Sequence, residues 1–214
     1  MEEHYPYVLP PLRYEYDELE PQLSARTLRF HHDRHFACYI NRLNGLLGGE
    51  PAYQQWPLER LCREWAEFPG DSRRACGVCA GAVFNHNLYF DNLAAMPVSA
   101  LAPPLDGGIS RAFGTMDVLF NAMKTAAKTH CGDGWLWLCA DINGDLTVVC
   151  TDGENTPLPL FPLLCCDLWE HAYYLDYQDA VGEYFDNWWR VVNWPKVSAS
   201  YDDWLSRRLP VPQP

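Results

Sequence analysis

The sequence predicts an α+β protein: an N-terminal antiparallel helical hairpin over residues 1–97, then a C-terminal α/β domain over residues 98–214 with a small three-stranded antiparallel sheet. Three observations lead there. Apolar positions in the first half recur at helical spacing in two long segments. The one good linker candidate, "PVSALAPPLDGG", is rich in proline and glycine and lies near mid-chain. Beyond it, "GWLWLCADINGDLTVVCT" reads as two β-like runs joined at Asn143-Gly144, a strong hairpin signal.

The elements follow in order. After a proline-rich arm, Ser24 suits an N-cap, and Leu28, His31, His35, Cys38, Tyr39 and Leu43 share helical spacing up to the Gly48-Gly49 pair. A short helical piece falls near 58–67. Ser72 can cap a second long helix, in which Ala75, Gly77, Ala80 and Gly81 allow a neighbour close approach. After the linker, "ISRAFGTMDVLFNAMKTAAKTH" reads as one helix, and "LFPLLCCDLW" as a third, buried strand. The tail, rich in Trp and Tyr, is helical in pieces.

Composition excludes several classes. Of 214 residues 48% are hydrophobic, which supports a packed core rather than disorder. The formal charge of −12 and the lack of any basic stripe argue against a nucleic-acid partner. An anionic substrate would have to be steered locally. No apolar run reaches membrane-spanning length, and "MEEHYPYVLPPL" has neither a basic n-region nor an apolar h-region. The sequence is therefore expected to be cytoplasmic, with no membrane association. Nine cysteines, an odd number in mostly apolar segments, read as reduced small hydrophobes. Cys76 and Cys79 form a lone CxxC with no second pair to complete a zinc site.

The seven histidines carry the chemistry. His4 and His130 lie near segment ends and His32 points away from its neighbours, so all three are expected at the surface. His31 and His35 share a helix face, with Tyr39 one turn on. His86 sits on the second helix, which should pack against the first. Asp167 and His171, four apart at the exit of the third strand, can point into one cavity. Three imidazoles and one carboxylate would suit manganese, iron or zinc.

The segments "YVLPPLRYEYDELEP", "FHHDRHFACYINRLN", "FNHNLYFDNL", "GWLWL" and "DLWEHAYYLDYQ" stand in the order and spacing of the iron/manganese superoxide dismutases, which the chain resembles over nearly its whole length. The resemblance implies His31, His86, Asp167 and His171 as ligands of one manganese or iron ion per subunit. It implies superoxide as substrate, entering through a gate of His35 and Tyr39, with Trp135 and Trp169 in the aromatic shell. It also implies a homodimer, in which Glu170 bonds the ligand His171 across the interface and Tyr174 reaches the opposite His35. The ion would cycle between its divalent and trivalent states, and a proton taken up by bound solvent would offset each electron.

One departure stands out. The family usually sets a glutamine against the bound solvent, from one of two positions, and here those positions hold Ala82 and Glu154. Glu154 either turns inward in that glutamine's place, or faces solvent on a shifted loop. Asp152, Gly153 and Asn155 all suit a turn that would allow the second. Ala82 leans the metal assignment toward manganese. Two other readings remain beside the dismutase: a metal-binding protein of this fold with low or altered activity, and a non-haem iron oxygenase or hydrolase.

Overall fold

The computed structural model describes residues 4–95 and 101–208. Helix α1 (Ala25–Phe30), a π-helical turn (His31–Phe36) and α2 (Ala37–Gly48) run on as one rod. Ser24 caps it as expected, its Oγ accepting from the Thr27 amide at 3.1 Å. The π turn shows where the Ala37 amide reaches back five residues to the His32 carbonyl. α3 (Leu58–Arg63) and a short 3-10 turn follow, and then α4 (Arg73–Asp91) packs back along α2. Ser72 makes no side-chain cap; the start of α4 is instead tied to a preceding 3-10 turn through Arg73 Nε and the Gly70 carbonyl, 3.1 Å apart.

The boundary at residues 97/98 lies outside the described residues. The later half of the linker candidate is not a loop: α5 (Pro103–Phe113) begins there, with proline at its first position, where no helical amide is lost. The single helix expected next is two. Gly114, at φ +82°, ends α5, and Thr115 caps α6 (Met116–Thr129) through Oγ1 to the Val118 amide. Glycine's freedom at positive φ outweighs the continuous apolar periodicity there.

The sheet is antiparallel in the order β2–β1–β3, from β1 (Gly134–Ala140), β2 (Leu146–Asp152) and β3 (Phe161–Asp167). Asn143 and Gly144 sit in a five-residue loop that Asp141 Oδ1 organises by accepting from the Asn143 and Asp145 amides. Central β1 is buried on both faces. On one face Trp135 and Trp137 pair with Asp167 and Cys165, and this face meets α4 where Cys165 Sγ lies 3.6 Å from the Asn85 carbonyl. On the other, Leu136 and Leu138 pair with Cys166 and Leu164. A bulge between Leu138 and Cys139 leaves Leu163 without a partner on β1, next to Pro162, which cannot donate to the ladder.

The tail forms a 3-10 turn (Glu170–Ala172), α7 (Tyr174–Tyr177), α8 (Val181–Arg190) and α9 (Trp194–Arg208). Asn92, at the end of α4, fastens the two halves together. Its side chain donates to the Leu163 carbonyl and accepts from the Cys165 amide, at 3.3 and 3.2 Å. The helical hairpin is thereby held against the strand that ends at Asp167.

All nine cysteines are free. Cys76, Cys79, Cys139, Cys165 and Cys166 are buried as expected, but Cys38, Cys131 and Cys150 are exposed. Cys38 is thus not core packing: it shares helical spacing with Leu28 yet lies beyond the π turn, where the phase has changed.

Candidate metal centre

Four side chains from four places in the sequence converge. His31 comes from the π turn, His86 from α4, Asp167 from the end of β3 and His171 from the 3-10 turn after it. One donor atom of each lies within 4.8 Å of all the others. Asp167 Oδ2 is the hub, 3.1 Å from the Nε2 atoms of His31 and His171 and 3.9 Å from that of His86. The other oxygen, Oδ1, accepts from the Trp169 amide at 2.8 Å, which fixes the carboxylate plane.

The His86 tautomer follows from its outer bond. His86 Nδ1 donates to the Ala82 carbonyl at 2.7 Å, so its Nε2 carries a lone pair and faces the cluster. His31 Nε2 and His86 Nε2 are buried without any hydrogen bond of acceptable geometry. Orphaned nitrogens around a buried carboxylate are costly unless something binds them. A cation fits: donors about 2.1 Å from a shared ion would lie up to about 4.2 Å apart, a contraction of a few tenths of an ångström. A set of nitrogen and oxygen donors suits a first-row ion of the manganese or iron kind.

Electrostatics agree. Burial drives the His31 pKa down to about 4 and that of His35 to about 3, and it holds His86 far below its ordinary value. All three are therefore neutral imidazoles at neutral pH, as His31 and His86 must be to bind a cation. Burial alone would raise the Asp167 pKa, but His171 and His31 hold it well below the carboxylate range, so it stays an anion.

Aromatic rings enclose the cluster. Trp135 stands edge-on to His86 with centroids 5.0 Å apart, and Trp169 lies 5.8 Å from His171. His35 stacks on His171 at 3.6 Å, and Tyr39 meets both His35 and His86 at 5.1 and 5.9 Å.

Glu154 turns inward. It is only 7% exposed, although the turn expected around it does form, with Gly153 at φ +57°. Thr151 Oγ1 closes the turn by donating to the Asn155 carbonyl, at 2.7 Å. Glycine at 81 lets α4 touch the loop, since a Cβ there would lie 2.0 Å from the Glu154 carbonyl oxygen. Glu154 Oε2 accepts from Trp135 Nε1 at 3.1 Å, and the Tyr39 hydroxyl is near enough for the two groups to act on one another. Oε1 is buried with no partner. Burial first, and then the Asp167 charge, push the Glu154 pKa up to about 7, against the pull of the Trp135 bond. Ala82, at the alternative glutamine position, is fully buried and offers only its carbonyl.

Glu170 and Tyr174 are exposed and stand clear of the cluster in this single chain. Two of the surface assignments fail. His32 is buried, its ring held between the Pro10 carbonyl (2.9 Å) and Asp33 Oδ1 (2.8 Å) and packed edge-on to Phe90. The His130 side chain is 8% exposed and covers Gly134, where a Cβ would collide with its Nε2. His4 is half-buried. Sequence reasoning passed over Asn85, whose amide lies 3.1 Å from Trp135 Nε1 and 3.4 Å from Glu154 Oε2. Its place directly before His86 was the available signal.

Residues 6–94 match the family model described as iron/manganese superoxide dismutases, alpha-hairpin domain, and residues 102–200 match the C-terminal domain of the same family. The chain belongs to the iron/manganese superoxide dismutase family. A manganese superoxide dismutase of Listeria innocua is 36% identical over 198 residues, covering 92% of this chain and 98% of that one. One from Leptolyngbya boryana is 35% identical over 204 residues, covering 92% and 81%, and one from Salmonella typhimurium is 35% identical, covering 91% and 97%. The family's two-part architecture, a helical hairpin followed by an α/β domain, is the one described above. Its activity is the metal-dependent conversion of superoxide to oxygen and hydrogen peroxide, so the readings as a weakly active metal binder or as an oxygenase or hydrolase are not favoured.

Proposed function

We propose that this chain disproportionates superoxide at the cluster of His31, His86, Asp167 and His171, with one manganese ion per subunit as its working metal. The observation that carries the site is the convergence of four donors with two orphaned imidazole nitrogens. Three relatives named as manganese enzymes, and the alanine at position 82, support manganese over iron. When bound, the ion supplies one-electron redox chemistry, taking an electron from one superoxide and giving it to another.

The chain's own residues do the rest. The Ala82 carbonyl fixes the His86 tautomer, and the Trp169 amide fixes the Asp167 plane. Trp135, Trp169 and Tyr39 keep bulk water away from the donors, which strengthens every charge interaction among them. Peroxide needs two protons. Tyr39 neighbours Glu154, whose Oε1 is buried without a partner, and these two groups stand ready to hold and deliver a proton. Glu154 takes the part that glutamine plays in the resemblance, as a donor when protonated and an acceptor when not.

A homodimer and a cytoplasmic setting complete the reading. In one chain Phe30, Tyr174 and Leu175 are each about half exposed, and the ligand His171 is 20% exposed. His35 Nε2 is buried without a partner in this chain. A second copy contributing Glu170 and Tyr174 would cover the apolar patch and supply those bonds. No helix among the described residues is long and apolar enough to cross a membrane.

The test is elemental analysis of the purified protein beside superoxide consumption by separately manganese-loaded and iron-loaded samples. Manganese in the native protein with activity only on manganese loading is expected. Full activity of a metal-free sample would overturn the site assignment, and preference for iron would overturn the metal assignment.

A further inference from the structure

The peroxide that the proposed reaction makes is itself an oxidant, and it forms beside rings that can be oxidised. His31, His86, Trp135 and Trp169 all stand at or against the donor cluster. An oxidising equivalent left there by peroxide is spent on one of these rings unless another group takes it first. Tyrosine gives up one electron readily, provided that it can also shed its phenolic proton. One file of tyrosines leads away from the cluster.

Tyr89 begins it, on α4 beyond His86. It is fully buried, and its ring meets that of His31 with centroids 5.1 Å apart and that of Trp135 at 6.3 Å. Its hydroxyl lies 3.3 Å from the hydroxyl of Tyr184 on α8, which is also fully buried. Tyr184 in turn stacks on Tyr173 at 4.9 Å and meets Tyr177, at the end of α7, at 5.9 Å. Tyr177 is half-buried, and its hydroxyl donates to the Gln22 carbonyl. The file runs from a candidate ligand through the core to a phenol that solvent reaches, each member touching the next.

Packing alone does not call for the two inner hydroxyls. Phenylalanine would fill either place, and burying a hydroxyl costs free energy unless it is bonded. Among the described residues the Tyr89 and Tyr184 hydroxyls are bonded to each other and to no other side chain or carbonyl. Two phenols so placed can pass a hydrogen between them where no water is at hand, which is what a buried tyrosine needs in order to give up an electron.

We propose that Tyr89, Tyr184 and Tyr177 form a relay that carries oxidising equivalents from the metal centre to the surface, where a small soluble thiol discharges them. The proposal rests on the dismutase reading only for the source of the peroxide. Tyr89 gives up an electron and its phenolic proton toward the cluster, and Tyr184 restores it across the 3.3 Å contact. Tyr177 then restores Tyr184, and the thiol restores Tyr177, so that each phenol loses and regains one electron and one proton. For every peroxide two equivalents pass. The O–O bond breaks and, with two electrons and two protons, gives two waters, while two thiol S–H bonds break and the sulfurs join as one disulfide.

The experiment compares the native protein with the double variant Tyr89→Phe, Tyr184→Phe, both metal-loaded. Removing both hydroxyls at once leaves neither buried and unpaired, so the fold should survive. Hydrogen peroxide is added with a nitrone spin trap, and the adducts are located by peptide mass spectrometry. The native protein should carry them at Tyr177 and Tyr173. The double variant should lose most of these and gain adducts at Trp135, Trp169 and His31. Tyr53→Phe, outside the file, should leave the native map as it was. If the double variant does not fold, Tyr177→Phe serves instead, and its adducts should stop at Tyr184 and Tyr173.

The second readout is the metal retained after repeated additions of peroxide, by elemental analysis. Added glutathione should protect the native protein from loss of its ion and should protect the double variant much less. Native adducts confined to Tyr39 or to the rings of the cluster, the same map in native protein and variant, or the same map in metal-free protein would each overturn the relay. If the file is marked as expected while the metal-loaded protein consumes no superoxide, the relay stands and the dismutase reading fails. If superoxide is consumed and the file stays unmarked, the relay alone fails.

Discussion

Glu154→Gln removes a titratable group from the wall of the centre while leaving its shape. In the metal-free protein burial and the Asp167 charge hold the Glu154 pKa at about 7, against 4.5 in an ordinary glutamate. Below about pH 4.5 the group is protonated both folded and unfolded, and it costs nothing. As pH climbs, the unfolded chain ionises first, so the folded state loses stability, and the loss is complete above pH 7. At about 1.4 kcal/mol per pH unit, the gap from 4.5 to 7 amounts to about 3 kcal/mol. The native metal-free protein should therefore lose about 3 kcal/mol relative to Glu154→Gln between about pH 4 and about pH 9. Urea unfolding of the two metal-free proteins in parallel measures this, because every other titrating group cancels in the difference. A bound cation draws the carboxyl back toward ionisation, so the difference should shrink in the metal-loaded pair. A difference that does not change with pH in the metal-free proteins would refute the reasoning.

Three further outcomes are expected. Gly81→Ala would set a methyl 2.0 Å from the backbone carbonyl oxygen of Glu154 and should cost about 1–3 kcal/mol in unfolding experiments. It should also displace Glu154 and alter Trp135 fluorescence. His86→Ala removes one of four donors. It should weaken metal binding beyond the roughly 10–100-fold that loss of a ligand's hydrogen-bond partner costs, measured by competition with a chelator. Because burial lowers the His31 pKa to about 4, the unfolded chain takes up protons first as pH falls from 6.5. The metal-free protein should then lose stability through that window, seen as a falling Tm, and bound metal should be released on the same side of neutrality.

Much of this was legible in the sequence because the signals were local or strongly periodic. The β-like run "GWLWLCA" and the apolar run ending at Asp167 marked two strands, and the four candidate ligands sat in segments of high specificity. What escaped depended on contacts remote in the chain. The burial of His32 is set by the Pro10 carbonyl and by Phe90, and no nearby residue announces either. The inward turn of Glu154 could not be read from Asp152, Gly153 and Asn155, since the same turn chemistry serves a loop facing either way. It is decided by the bare backbone of Gly81 on α4, which gives the loop room to close. The break at Gly114 was a local signal outweighed by the apolar periodicity around it.

The π turn at His31–Phe36 has a consequence for how this chain can vary. It amounts to one surplus residue wound into an otherwise regular rod, and each residue of an α-helix advances the phase by about 100°. Removing any single residue between His31 and Phe36 would restore an unbroken α-helix and leave Ile40, Leu43 and Leu47 seated as they are. The same deletion would swing Leu28 and the candidate ligand His31 about a quarter-turn around the axis, out of register with His86 and Asp167. This stretch thus acts as a phase adjuster between the part of the rod that packs the hairpin and the part that presents a ligand. Length changes that a surface loop would absorb are forbidden here to the single residue.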